Sequence, residues 1–133
     1  MKREQNKTIV LIDDDPVTNL VNRRIIERNY DLEIQIYTRA NEALEALKRW
    51  PAGRRFPEVI LLDIDMPDMD GWDFLEAFEK FFTHSYTNCN IAILTASIFL
   101  DDIEKSKTYK YVRDFISKPL AADKLIPLLM NGH

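Results

Sequence analysis

Residues 59–67 read VILLDIDMP, an uninterrupted apolar run that is followed at once by acids. A short apolar run bounded by turn residues is typical of a strand that is buried on both faces of a parallel sheet. Comparable runs occur at residues 8–12, at 91–94 and, more briefly, at 115–116, and apolar residues alternate with polar ones across 32–36. The sequence therefore predicts five short strands.

Amphipathic stretches with helical spacing separate these strands. Their apolar stripes are Val17, Leu20, Val21 and Ile25; Ala40, Ala43, Leu44 and Leu47; Leu75, Phe78 and Phe82; Leu100 and Ile103, extended by Lys107; and Leu125, Leu128 and Leu129. We expect Asp15 to cap the first helix with Pro16 at its first position, and Pro127 to kink or shorten the last helix. The alternation predicts a doubly wound α/β domain with a five-stranded parallel sheet and five helices.

Composition and charge narrow the range of functions. The 133 residues have room for one domain, and 46% hydrophobic with 30% charged residues is ordinary for a soluble protein. The formal net charge of −4 argues against nucleic acid as a direct partner, and no apolar run approaches the length of a membrane helix. A single cysteine, Cys89, excludes an internal disulfide. We expect residues 1–6 to be a disordered N-terminus without a signal peptide, residues 7–131 to form the domain, and the location to be cytoplasmic.

Acidic residues directly follow the first and third predicted strands. Asp13, Asp14 and Asp15 close the first strand, and Asp63 closes the third. In the common strand order 2-1-3-4-5 these strands are neighbours about 4.8 Å apart, so Asp13, Asp14 and Asp63 would gather at the carboxyl edge of the sheet. Three such carboxylates repel one another, and Mg²⁺ with all-oxygen ligands would relieve the repulsion. Asp15 is better explained as a helix cap.

Two further residues belong at the same edge. Thr95 ends the fourth predicted strand and Lys118 follows the fifth. A hydroxyl and an ammonium that converge on carboxylates and a magnesium ion are suited to an incoming phosphoryl group, because the lysine neutralises its oxygens and the threonine donates a hydrogen bond.

Four blocks of sequence resemble, in order and at near-family spacing, the signature blocks of response-regulator receiver domains. They are VLIDDDP at 10–16, LLDIDMPDMDG at 61–71, ILTAS at 93–97 and FISKPL at 115–120. The resemblance covers the chain from about residue 7 and implies the flavodoxin-like receiver fold. It also implies a phosphoacceptor switch in two-component signalling.

The resemblance also implies a role for each matching residue. Asp63 matches the phosphoacceptor, Asp13 and Asp14 match the metal-binding acids, and Asp65 matches the position whose backbone carbonyl completes the magnesium shell. Thr95 and Phe115 match the switch pair, Lys118 the phosphate-binding lysine ahead of a cis bond to Pro119, and Gly71 a tight-turn glycine. Asp65 and Ser97 match positions at which family members tune the access of water to the phosphoryl group.

The sequence departs from the family pattern around the fifth strand. The interval from Thr95 to Lys118 is about one residue long, and residues 110–114 lack the usual glycine or small residues. Phe115 has no hydroxyl at its tip. We expect Tyr109, Tyr111 and Phe115 to contribute aromatic area to a partner-binding face that is formed by the fourth helix, the fifth strand and the fifth helix.

The implied partners are a histidine kinase or a histidine phosphotransfer protein upstream and an unnamed protein target downstream, with a phosphorylation-dependent dimer as one form of output. No enzyme activity is expected beyond self-catalysed phosphoryl transfer to Asp63 and autodephosphorylation. The expected protein is a stand-alone regulator, although a receiver cut from a longer protein would have the same sequence features.

Three alternatives use the same residues differently. Asp63-Ile64-Asp65 fits the DxD nucleophile motif of haloacid-dehalogenase-type phosphatases, but there the motif usually follows the first strand. A pseudo-receiver that is never phosphorylated usually lacks an acid, the lysine or the hydroxyl, and this chain has all of them. A nucleotide-binding Rossmann domain would need a GxGxxG motif after the first strand, where there is none.

Overall fold

The computed structural model of the chain describes residues 7–82, 88–96 and 98–130. The strands are β1 (Thr8–Ile12), β2 (Glu33–Tyr37), β3 (Val59–Leu62), β4 (Asn90–Thr95) and β5 (Val112–Ser117). The helices are α1 (Pro16–Asn29), α2 (Ala40–Lys48), α3 (Gly71–Phe82), α4 (Leu100–Ser106) and, after a 3₁₀ turn at Ala122–Leu125, α5 (Ile126–Leu129). The predictions for residues 1–6 and for Ser97 lie outside the described residues.

All five strands pair in parallel in the order β2-β1-β3-β4-β5, which confirms the predicted topology. Every residue of β1, β3 and β4 is buried, as their uninterrupted apolar runs predicted. The edge strands β2 and β5 are partly exposed, because each has a neighbour on one side only.

Alternate side chains of the strands belong to two separate apolar layers, one on each face of the sheet. Val10, Ile60 and Ile93 point to one face of the sheet, where they pack with buried residues of α2 and α3. Leu11 and Leu61 point to the other face, where α1, the 3₁₀ turn and α5 cover them. Among the described residues, the sheet is therefore a central layer that is covered on both faces.

The extra residue before the fifth strand is absorbed by an irregularity in β5. Ile91 of β4 pairs with Val112, but the next residue, Ala92, pairs with Asp114, so Arg113 has no partner position in β4. A one-residue insertion of this kind is a β-bulge, which changes the register without breaking the sheet. From Asp114 onward β5 is again in parallel register with β4, so its carboxyl end lies at the same edge as those of the other strands.

Most of the apolar stripe that was predicted for α1 does not pack against the core. Val17, Leu20 and Val21 are 67%, 49% and 45% exposed, whereas the buried residues of the helix are Asn19, Asn22 and Ile26. Helix periodicity shows which residues share a face but does not show which face turns inward. Here the inward face carries polar residues, one of which makes a buried hydrogen bond near the end of β1.

Two further expectations are corrected near α4. Leu100 is 72% exposed and the buried residue of this seven-residue helix is Ser106, so the predicted Leu100–Ile103 stripe is not its packing face. Tyr111 is 2% exposed, and its hydroxyl donates a hydrogen bond to the carbonyl of Phe82. Tyr111 is thus a core residue, and its expected place on a partner-binding face is wrong.

The last helix is short, as Pro127 predicted. Pro127 lies in the first turn of α5, which has four residues and follows directly on the 3₁₀ turn. Leu125, Leu128 and Leu129 are buried against the sheet. No helix in the described part of the chain is long and apolar enough to cross a membrane.

Candidate functional site: an acid pocket at the carboxyl edge of the sheet

Strand register brings the first two acids together. Ile12 of β1 pairs with Leu62 of β3, so the next residues, Asp13 and Asp63, leave the sheet side by side. The backbone N–H of Asp63 donates to the carbonyl of Ile12 at 2.9 Å, which fixes the start of the loop after β3 against the end of β1.

Asp14 completes a group of three acids. Asp13, Asp14 and Asp63 each offer a carboxylate oxygen, and these oxygens lie within 4.8 Å of one another. Asp13 and Asp63 are buried, and Asp14 is exposed. The structure therefore brings together the acids that the sequence predicted, and we call this group with Lys118 the acid pocket.

Lys118 directly follows β5, an edge strand of the sheet, and its side chain extends to the acid pocket. Thr95 and Ser117 are register partners in β4 and β5, and the backbone N–H of Lys118 donates to the carbonyl of Thr95 at 2.8 Å. The ammonium nitrogen of Lys118 lies 2.7 Å from Asp13 Oδ2 and 3.5 Å from Asp63 Oδ2. The Lys118–Pro119 peptide bond is cis, as the resemblance implied.

Burial and neighbouring charges shift the ionisation of the pocket. Burial, with a smaller contribution from the charge of Asp13, raises the pKa of the Asp63 carboxyl to about 6, although the backbone N–H of Asp65 and the ammonium of Lys118 act in the opposite direction. Burial lowers the pKa of Lys118, but hydrogen bonds and charges from Asp13 and Asp63 outweigh it, so that the pKa is raised overall. The pocket thus favours a cation and disfavours a further ionised carboxylate.

The donor set fits a hard divalent cation. Three carboxylate oxygens within reach of one another, two of them on buried residues, are the ligands that Mg²⁺ takes in proteins, with water completing the shell. Burial and the charge of Asp13 raise the pKa of Asp63, and a bound cation would favour its ionised form. Asp13, Asp14 and Asp63 would hold the metal.

The switch residues lie next to the acid pocket. Thr95 is fully buried, and its hydroxyl donates to Asp65 Oδ2 at 3.5 Å, while the backbone N–H of Asp65 donates to Asp63 Oδ1 at 3.1 Å. Phe115 pairs in register with Ile93 and is half-buried. It lines a groove between α4 and β5 together with Ile103, Ser106, Lys107, Val112, Arg113 and Asp114.

Gly71 is needed for close approach. It is the first residue of α3, and its N–H donates to the carbonyl of Ile64 at 3.1 Å. A Cβ at this position would lie 2.6 Å from Cα of Ile64 and 2.9 Å from the carbonyl oxygen of Asp63. The expected tight-turn glycine therefore serves to let α3 start directly against the loop that carries Asp63.

The remaining acid of the first block is a helix cap. Asp15 accepts hydrogen bonds from the Val17 N–H at 3.0 Å and from the Thr18 hydroxyl at 2.9 Å, as its position before Pro16 predicted. Asn19, which was not among the predicted site residues, donates from its side chain to the carbonyl of Asp13 at 2.8 Å. The available signal was an asparagine inside a helix, where it has poor intrinsic propensity.

Comparison with known proteins agrees with this geometry. The family model of the response regulator receiver domain matches residues 9–129. The chain is 33% identical over 102 residues to the regulatory protein LuxO of Vibrio cholerae, covering 77% of this chain and 20% of LuxO. It is 27% identical over 122 residues to the chemotaxis protein CheY of Listeria monocytogenes, covering 91% of this chain and 93% of CheY.

A solved structure gives the same result. The crystal structure of a two-component response regulator from Cytophaga hutchinsonii aligns with a TM-score of 0.86 and 32% identity, over 94% of this chain and 95% of that one. The chain therefore belongs to the response-regulator receiver domain family, the signalling domains that receive phosphoryl groups from histidine kinases in two-component systems. It spans about a fifth of the length of the LuxO relatives that it matches.

Proposed function

We propose that this receiver domain is a magnesium-dependent switch whose phosphoacceptor is Asp63. The observation that carries the proposal is the convergence of three carboxylates within 4.8 Å beside the Lys118 ammonium. This arrangement supplies a nucleophile, an oxygen-rich metal site and a fixed cation at one point.

The proposed reaction is transfer from a phosphohistidine to Asp63. A carboxylate oxygen of Asp63 attacks phosphorus and forms the new P–O bond, while the P–N bond breaks with its electron pair going to the imidazole. The imidazole leaves as a neutral group because its other ring nitrogen already carries a proton. A bound Mg²⁺, held by Asp13, Asp14, Asp63 and the backbone carbonyl of Asp65, would neutralise phosphoryl oxygens. The later hydrolysis of the acyl phosphate by water resets the switch without a separate enzyme.

Lys118 and Thr95 would contact the phosphoryl group on Asp63. The Lys118 ammonium, now shared between Asp13 and Asp63, can move to a phosphoryl oxygen on the modified Asp63. The Thr95 hydroxyl, now directed at Asp65, can donate to another phosphoryl oxygen instead. Both moves exchange a carboxylate acceptor for a more highly charged one, because an acyl phosphate carries about 1.5 to 2 negative charges where the Asp63 carboxylate carried one.

The output face is the groove between α4 and β5. When the Thr95 hydroxyl turns toward Asp63, the half-buried ring of Phe115 has room to move inward on the same strand pair. Because Phe115 lines the groove, its movement changes the surface that a target protein or a second phosphorylated copy would bind.

The phosphodonor protein docks beside the acid pocket. Val17, Leu20 and Val21, here the α1 apolar patch, are exposed on the helix that begins directly after Asp13, Asp14 and Asp15. Transfer from a phosphohistidine requires the donor protein to reach Asp63, and exposed aliphatic residues on the helix that follows Asp13, Asp14 and Asp15 suit such a contact. We assign this patch to a histidine kinase or a histidine phosphotransfer protein.

The reaction is tested with a labelled small phosphodonor. The wild-type protein should incorporate label in Mg²⁺ and not in EDTA, and Asp63→Asn should incorporate none. Retention of full labelling by Asp63→Asn would refute the assignment. Millimolar Mg²⁺ should also raise the melting temperature of the wild type, because the ion binds the native state.

The docking assignment is tested by comparing two kinds of donor. Leu20→Ser should slow transfer from a kinase identified by phosphotransfer profiling, but it should leave labelling by the small donor unchanged. Phe81→Ser is the matched control, since Phe81 is 52% exposed at the other end of the sheet, near the end of α3. Equal rates from the protein donor for Leu20→Ser and wild type would contradict the assignment.

A further inference from the structure

Three different groups hold the three oxygens of Asp13. Oδ1 accepts from the backbone N–H of Asp15 at 2.9 Å, and Oδ2 contacts the ammonium of Lys118 at 2.7 Å. The backbone carbonyl accepts from Nδ2 of Asn19 at 2.8 Å. The first two contacts lie within the acid pocket, whereas the third reaches it from the interior of α1.

Packing alone does not explain Asn19. The residue is 2% exposed, and its Oδ1 has no hydrogen-bond partner among the described residues. A buried amide with an unsatisfied oxygen is destabilising, and an apolar side chain of similar size would avoid that cost. What the amide adds is the donor to Asp13.

The bond to Asp13 acts where the chain leaves the sheet. The N–H of Asp13 still bonds to the carbonyl of Tyr37 at 3.2 Å, but its carbonyl lies beyond the last register pair of β1 and β3. Asn19 satisfies this carbonyl and thereby fixes the turn between β1 and α1. The same turn carries Asp13 and Asp14, two of the three clustered acids.

We propose that Asn19 is a positioning residue that sets the divalent-cation affinity of the acid pocket. It holds the Asp13 carbonyl, so that the carboxylates of Asp13 and Asp14 are already oriented before the ion arrives. Groups that orient metal ligands without touching the metal affect binding strongly, typically by about tenfold or more. The inference rests on the proposed magnesium site, but its measurement needs no phosphoryl transfer.

The test is a calorimetric titration of the full chain with Mg²⁺. Asn19→Ala and Asn19→Leu should each bind Mg²⁺ about tenfold more weakly than the wild type. Asn22→Ala is the matched control, because Asn22 is also buried on α1, one turn further along, and should leave the affinity unchanged. Melting temperatures in EDTA, measured for every variant, separate a loss of stability from a loss of affinity.

The Mg²⁺ affinities of the Asn19 variants and of Asn22→Ala decide whether the inference stands. Asn19 variants that bind Mg²⁺ like the wild type overturn the inference, and so does an equal weakening in Asn22→Ala, which would indicate a general disturbance of α1. If neither Asn19 variant folds, Asn19→Ser, the smaller polar replacement, is titrated in their place and judged by the same criteria. A wild type that fails to bind Mg²⁺ would overturn the proposed metal site as well, so the two failures are distinguishable.

Discussion

The ammonium nitrogen of Lys118 lies 2.7 Å from a carboxylate oxygen of Asp13, and the same nitrogen lies 3.5 Å from Asp63. In the metal-free protein this ammonium offsets part of the negative charge of the acid pocket. A divalent ion bound by the same carboxylates would place a second positive charge close to it. Lys118 and the proposed metal ion would therefore oppose each other before the phosphoryl group arrives and cooperate afterwards.

Removal of this ammonium should strengthen Mg²⁺ binding. We expect Lys118→Met to bind Mg²⁺ about fivefold more tightly in a calorimetric titration, since relief of one nearby like charge near the surface is worth about 1 kcal/mol. The same variant should accept the phosphoryl group more slowly, because its oxygens lose a neutralising partner. Lys107→Met is the control, since Lys107 pairs with Glu104 on α4. An unchanged or weaker affinity in Lys118→Met would contradict this account of the pocket.

The raised pKa of Asp63 predicts a pH-dependent cost to stability. Burial raises this pKa to about 6 in the native state, above its ordinary value in the unfolded chain. Between about pH 4 and pH 6 the native state therefore holds a proton that the unfolded chain has lost, and stability falls as the pH rises through that window. Above about pH 6, the ionised Asp63 carboxylate continues to lower the stability of the native state.

Asp63→Asn tests this cost, because the amide cannot ionise. In EDTA and above about pH 6, the variant should melt about 2–5 °C higher than the wild type. Thermal unfolding followed by circular dichroism across the pH range should show the difference shrinking toward pH 4. Saturating Mg²⁺ should narrow or reverse it, since only the wild type keeps all three carboxylates. A wild type that is at least as stable as the variant in EDTA at neutral pH would contradict the claim that the ionised Asp63 carboxylate destabilises the native state.

The close approach at Gly71 predicts that a single methyl group will disturb the pocket. In Gly71→Ala the Cβ would meet Cα of Ile64 and the carbonyl of Asp63, which are backbone atoms and cannot rotate away. We expect a loss of about 1–3 kcal/mol in the free energy of unfolding, together with weaker Mg²⁺ binding.

Gly53→Ala is the natural control for this substitution. A Cβ at Gly53 meets nothing within 4 Å, so this change should leave stability and Mg²⁺ affinity close to those of the wild type. Chemical denaturation of both variants provides the comparison. Similar stabilities for the two alanine variants would show that the loop after β3 yields more easily than its packing indicates.

An aromatic contact joins α3 to the turn between α4 and β5, and it should report on the switch. Trp72 stacks on Tyr109 with ring centroids 5.9 Å apart, and the ammonium of Lys105 lies 4.6 Å from the Trp72 ring. The chain has two tryptophans, so Trp50→Phe leaves Trp72 as the sole tryptophan, which can be excited selectively at wavelengths beyond the absorption band of tyrosine. If phosphorylation shifts α4, the emission of Trp72 should change when a small phosphodonor is added to the magnesium-bound protein.

The converse variant, Trp72→Phe, supplies the control for the fluorescence. Trp50 packs against Phe56 and under the Arg54 guanidinium, away from the acid pocket, and its emission should stay constant. Equal changes in the two single-tryptophan proteins, or none in either, would argue against a movement that is localised to α4.

The fold and the acid pocket were largely predictable because both depend on local pattern. The uninterrupted apolar runs of β1, β3 and β4 correspond to strands that are buried throughout. Acids directly after two such strands must emerge at one edge, since parallel neighbours end together. Asp13 and Asp63 are therefore placed by strand order alone, with no knowledge of side-chain contacts.

The features that sequence analysis got wrong depend on which face of an element packs. Val17, Leu20 and Val21 are apolar and exposed, while Asn19 is polar and buried, because the Asp13 carbonyl requires a donor inside the fold. Tyr111 is the opposite case, since its hydroxyl finds the carbonyl of Phe82 and the ring can then enter the core. In both cases the buried side chain donates a hydrogen bond to a backbone carbonyl outside its own helix or strand, and periodicity carries no information about such a bond.

The most direct test of the central claim is to locate the phosphoryl group itself. The wild type is incubated with a small phosphodonor and Mg²⁺, the acyl phosphate is reduced with borohydride to homoserine, and the digested peptides are read by mass spectrometry. The account predicts homoserine at position 63 and unmodified aspartate at Asp13, Asp14 and Asp65. Homoserine at any of those three positions instead of at Asp63 would contradict it.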